Sequence, residues 1–75
     1  MHNNATLLNM LQIEKDEIHG RMVKLRNFIE HDDFNTLDVN ERLLLREQLI
    51  AMSRYYGILN ERLYFHESGK WVFHR

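Results

Sequence analysis

The sequence has no cysteine and no proline, and only three glycines and one tryptophan in 75 residues. Without cysteine there is neither a disulfide framework nor a thiolate zinc site, so the usual staples of a small domain are missing and oligomerisation is the expected substitute. A chain this short buries only about 60% of the surface its unfolded form exposes, which leaves its own core marginal. Without proline, and with glycine only at Gly20 and Gly57 before Gly69, helices can run long. Long apolar runs are also missing, none coming near the roughly 18 residues of a membrane span. The start Met1-His2-Asn3-Asn4 lacks a basic signal region, so the expectation is a protein of a reducing cytoplasm, with no membrane contact. Nor is there an excess of one charge. Ten basic against eleven acidic side chains give a net charge of −1, which argues against a general DNA or RNA binder but leaves room for a local basic patch.

What is present is helical periodicity. From about residue 5 to 31, Leu8, Leu11, Ile18, Met22, Leu25 and Ile29 recur at three-, four- and seven-residue spacings, the mark of one apolar helix face, with Lys15 interrupting the seam. Gly20 falls in the middle, where glycine costs roughly 1 kcal/mol against alanine, so it marks a kink or a close approach of backbone, the kink being the favoured reading. The segment 32–37 reads as a polar loop that Phe34 and Leu37 pin to the hairpin. Asp38 followed by Glu41 resembles a capping box, in which Asp38 accepts from the amide of Glu41 and Glu41 reaches back. A second helix then spans about 38–64, with Leu45, Leu49, Met52, Tyr56, Leu59 and Leu63 as its seam.

Beside that seam runs a second stripe of Leu44, Ala51, Tyr55 and Ile58. One antiparallel partner helix covers one seam, so the other calls for further molecules. The expected fold is therefore all-α, an antiparallel two-helix hairpin with a kinked first helix, assembled into a homo-oligomeric bundle. Residues 65–75 change character, with Phe65, Trp71, Val72 and Phe73 around a Glu-Ser-Gly-Lys turn. They read as a short hairpin or strand-like arm that has to dock on the helices or on a neighbour.

Catalysis needs a nucleophile with its base, converging carboxylates or a metal, and no such spacing occurs. His2, His19, His31, His66 and His74 are scattered, Ser53 and Ser68 have no base near them in sequence, and no cofactor motif is present. His31 beside Asp32 and Asp33 invites a divalent ion, but a polar loop is the simpler reading. Binding chemistry is better represented. Arg21, Lys24 and Arg26 gather just after Gly20 and suit a phosphate; Gln48, Tyr55 and Arg62 recur every seven residues on one face, where a ring beside a guanidinium suits a stacked base with its phosphate. Against this stands the plainer account of solvated cations and packing tyrosines.

The order of residues carries further. Glu14-Lys15, Glu17-Ile18, Lys24-Leu25, Phe28-Ile29, Phe34, Leu37, Leu43-Leu44, Gln48, Ala51-Met52, Tyr55, Ile58-Leu59 and Arg62-Leu63, over roughly residues 8 to 64, resemble the anti-CBASS cyclic-nucleotide sponges. These are small phage proteins that share a helical-hairpin domain with one class of anti-Thoeris sponge. The resemblance implies a homo-oligomer, a hexamer in that family, that captures cyclic di- or trinucleotides between subunits without degrading them and so blunts the defence of the infected bacterium. It implies a phosphate contact at Lys24, a weaker one at Arg26, and a place for Tyr55 and Arg62 where subunits meet. The family's aromatic ring early in the first helix has no counterpart before Phe28, which shifts the expectation toward trinucleotides in a different pocket, with Trp71 as an alternative ring. Two other readings stay open: a protein-binding inhibitor that uses the exposed stripe and the arm, and a structural oligomer with no ligand.

Overall fold

The computed structural model describes residues 4–68, and side chains within 6–67. Helix α1 (Asn4–Ile29) and helix α2 (Val39–Ser68) are joined by a short 3₁₀ turn (Asp32–Thr36). The helices are 26 and 30 residues long, and the hairpin they form is 52 Å from end to end. That length follows from the missing prolines, since nothing interrupts the backbone ladder of either helix.

The turn is built by local hydrogen bonds. The last turn of α1 tightens as the His31 amide reaches the Phe28 carbonyl at 3.0 Å. His31 then takes an extended conformation, and its Nδ1 accepts from the Asp33 amide at 3.1 Å, capping the 3₁₀ turn. Thr36 Oγ1 donates to the Asp33 carbonyl at 2.7 Å. Phe34, only 1% exposed, pins this turn as its sequence position suggests. Phe28 meets it edge-on at 6.0 Å and the Arg46 guanidinium lies 5.0 Å from its centroid.

Asp38 starts α2, but through a different amide from the one expected. Its Oδ2 accepts from Asn40 N at 2.9 Å instead of from Glu41, the shorter reach of an Asx-type cap. Arg42 reinforces the junction by donating from Nε to the Leu37 carbonyl at 3.2 Å.

Most of both predicted seams forms the core, with Leu25, Ile29 and Leu45 half-buried outside its central cluster. Leu11, Ile18 and Met22 of α1 are buried against Leu59 and Leu63 of α2, and Leu7, Leu8, Leu49, Met52 and Tyr56 pack around them. Lys15, interrupting the α1 seam, is half-buried. The second stripe is exposed as expected: Leu44 is 64% and Ile58 53% accessible, and Leu43 and Ile50 extend the apolar surface around the helix. Transfer of apolar surface out of water is worth about 25 cal/mol per Å², so this surface is a standing drive for association.

The alternatives at Gly20 narrow, and one expectation about the tail is corrected. α1 passes through Gly20 as one unbroken helix, and a Cβ placed there meets nothing within 4 Å among the described residues, so none of their backbone approaches it. α2 continues beyond residue 64 to Ser68, so residues 65–68 are helical and not part of an arm. No glycine or proline falls between residue 64 and Gly69, and the half-buried His66 follows the helical spacing of Leu59 and Leu63. The remainder of the expected arm, including Trp71, lies outside the described residues.

Candidate functional site

The flank of the hairpin that carries the exposed stripe also carries its clearest polar constellation. Tyr55 projects from α2, 39% exposed, and its hydroxyl donates to Glu14 Oε2 of α1 at 2.6 Å. A hydroxyl donating to a carboxylate at this distance is a charge-assisted bond, among the stronger kinds. It raises the Tyr55 pKa from 10.0: the hydrogen bond to Glu14 is the largest cause, followed by desolvation and the Glu14 charge, while Arg62 pulls it back down. Tyr55 is thus a phenol donor at neutral pH. Arg62, two helical turns beyond Tyr55 on the same face, is near enough to act on it.

Beside Tyr55 lies a shallow open depression of about 350 Å³ lined by Glu47, Ile50, Ala51, Arg54, Tyr55 and Ile58. Its floor is apolar and its rim carries one acid and one base. Such a surface offers a hydrophobic rest for a flat ring together with groups that read polarity.

The sequence-predicted site residues do not all converge. Tyr55 and Arg62 are brought together, as their spacing requires. Arg21 and Lys24, about 60° apart around α1, both stand on the flank of Glu14, Arg21 being two turns further along. Arg26 is turned about 140° from Arg21 at 100° per residue. It stands on the opposite flank with His19, whose ring lies 5.5 Å from Tyr56. The cluster suggested by sequence is therefore split, because nearness along a helix is not nearness around it. Arg21, Lys24, Arg54 and Arg62 make no salt bridge among the described residues.

Glu14 and Arg54 are the residues that reading of single segments misses. Glu14 precedes Arg21 by seven residues and so shares its face, a signal present in the sequence, but the pairing with Tyr55 depends on the register between helices. At the turn, His31 Nδ1 is committed to its cap, and no group of three metal-ligating side chains occurs among the described residues. No described helix is long and apolar enough to cross a membrane.

The fold and this flank define a class: an all-helical hairpin with a polar and cationic constellation set on an unsatisfied apolar face. The family match makes it particular. Residues 5–64 match the Sequestin family, and the chain belongs to it. That name fits the sponge family which the residue pattern resembles, and the family is one of sequestration, a binding and not a catalytic role. No curated protein and no solved structure gives a significant match to the chain.

Proposed function

We infer that this protein is a phage anti-defence sponge which sequesters cyclic di- or trinucleotide second messengers at subunit interfaces, in the cytoplasm of the infected bacterium, without degrading them. The observation that carries this reading is the Tyr55–Arg62 pair standing on an exposed apolar stripe of a Sequestin hairpin. A ring and a guanidinium on one face match a base and its phosphate, and the stripe supplies the reason for subunits to gather. The pockets are completed between chains of a homo-oligomer, a hexamer, with Arg21 and Lys24 contributing phosphate contacts on the Glu14 flank and Arg26 a contact from the opposite one. A bend at Gly20 would bring the first two toward an anion. Oligomerisation is then both the source of stability and the means of binding.

Calorimetric titration with a panel of cyclic di- and trinucleotides tests the reading, combined with mass spectrometry of whatever the heat-denatured protein releases. Micromolar or tighter binding and recovery of an intact ligand support it; silence across the panel removes it. Lys24→Ala is expected to weaken dinucleotide binding without altering the oligomer, and unchanged affinity clears Lys24 of that role. The exposed Leu43, Leu44, Ile50 and Ile58 favour a second reading, an inhibitor that binds a host protein. A stoichiometric host partner in a pull-down, with no nucleotide recovered, selects it.

A further inference from the structure

Glu14, like Glu47 at the rim of the depression, is a group on this flank that phosphate capture does not use, and it is the one bonded to Tyr55. A carboxylate near a phosphate site repels the ligand, so its presence on Tyr55 suits a different chemistry. One oxygen, Oε2, accepts from Tyr55 at 2.6 Å, and the side chain has no other hydrogen bond or ion pair among the described residues. An ionised carboxylate offers about four acceptor sites over its two oxygens, so most of its capacity faces solvent. Flat apolar support is at hand from the Tyr55 ring, Ala51 and Ile58, and from the exposed Met10 one turn before Glu14. An acceptor edge beside an apolar rest, with cations close by, is what a nucleobase with two adjacent donors requires.

The purine bases differ at this point. Guanine presents N1–H and N2–H₂ side by side, two donors that a carboxylate accepts together. Adenine presents a donor beside the lone pair of N1, and that lone pair faces a carboxylate oxygen with repulsion. We propose that Glu14, held in place by Tyr55, reads the Watson–Crick edge of a captured base and gives guanine-bearing cyclic oligonucleotides preference over their adenine counterparts. The proposal rests on the sponge reading and assigns specificity within it. The Tyr55 bond restricts the carboxylate before the ligand arrives, which cuts the ordering cost of binding.

The test is calorimetric titration of the full chain and of Glu14→Gln with cyclic di- and trinucleotides that differ only in guanine against adenine. Glu14 is exposed, and circular dichroism with light scattering checks that the variant keeps helix and oligomer. The wild type is expected to bind the guanine forms about tenfold to a hundredfold more tightly, the range of one two-point base contact. Glutamine presents one donor and one acceptor, the complement of adenine, so the variant is expected to lose that preference or reverse it. Equal wild-type affinities, or a preference unchanged in Glu14→Gln, overturn the role of Glu14 and leave the sponge reading standing. Failure of the wild type to bind any of these ligands overturns both.

Discussion

Arg46 lies over the Phe34 ring, 5.0 Å from its centroid, and so ties the first part of α2 to the turn that precedes it. The ring is almost wholly buried and also meets Phe28 edge-on. Phe34→Ala is expected to cost about 3–5 kcal/mol, the range for deleting a buried aromatic side chain. Arg46→Ala removes only the cation over the ring, worth about 0.5–1 kcal/mol at an exposed site. Urea unfolding followed by circular dichroism measures both, and equal losses would show that the cation and not burial holds the turn.

Asp38 gives a cleaner test of local structure. Its carboxylate caps the Asn40 amide, and loss of such a cap costs about 1 kcal/mol. Asp38→Ala is expected to lose that amount and Asp38→Asn to retain most of it, since an amide oxygen also accepts. A destabilised Asp38→Asn would point to the negative charge at the helix start instead of the cap.

The pH response of Tyr55 follows from its raised pKa. The folded state holds the phenolic proton more tightly than the unfolded chain, so the contribution to stability is complete below pH 10 and is lost as the pH rises through the higher folded value. In an ultraviolet titration, Tyr55→Phe is expected to remove an ionisation step lying above pH 10. Glu14→Gln should bring the same step back toward 10, because the charge and the charge-assisted bond are the principal causes of the shift. A Tyr55 step unmoved in Glu14→Gln would show that desolvation alone sets it.

How far the sequence reached depends on the range of the interaction. Both seams were legible because Leu11, Ile18 and Met22, and Leu59 and Leu63, repeat with the period of one helix, and burial follows periodicity directly. The exposure of Leu44 and Ile58 was legible for the same reason. Tyr55–Glu14 was not, since it joins residues 41 positions apart and depends on the register set by the Asp32–Thr36 turn. The cap at Asp38 is legible in sequence but its donor, Asn40 instead of Glu41, is not, because the carboxylate rotamer decides between neighbouring amides. Arg26 stands near Arg21 and Lys24 in sequence, but the rotation of α1 puts it on the other flank. Residues 65–68 look like the start of an arm because aromatics on either side of them suggest a strand, whereas α2 runs on as a helix to Ser68.

Gly20 separates stability from function. Its surroundings are open, so Gly20→Ala is expected to stabilise the hairpin by about 0.5–1 kcal/mol through the unfolded chain and the better helix former. If a bend at this position admits an anion to Arg21 and Lys24, the same substitution weakens ligand binding while raising the melting temperature. Gly57, equally open, provides the control: Gly57→Ala should give a similar gain with no effect through α1. Thermal melts and titrations on both variants distinguish a glycine kept for bending from one that is merely tolerated.

The apolar stripe is the feature on which the proposed assembly turns. Leu44 and Ile58 stand fourteen residues apart on one face of α2, and neither contributes to the core of the single chain. Replacing either with glutamate therefore removes nothing from the hairpin itself, but places a charge where another subunit would pack, and an unpaired buried charge is strongly disfavoured. Leu44→Glu and Ile58→Glu are expected to lower the mass measured by light scattering toward that of one chain, with helicity retained at high protein concentration. If subunits gather on this stripe as proposed, the melting temperature of the wild type should rise with concentration, and that of the variants should not. If pockets exist only between chains, both variants lose ligand together with mass. Ligand binding retained by a monomeric variant would instead place the whole site, Tyr55, Glu14 and Arg62 included, on a single hairpin.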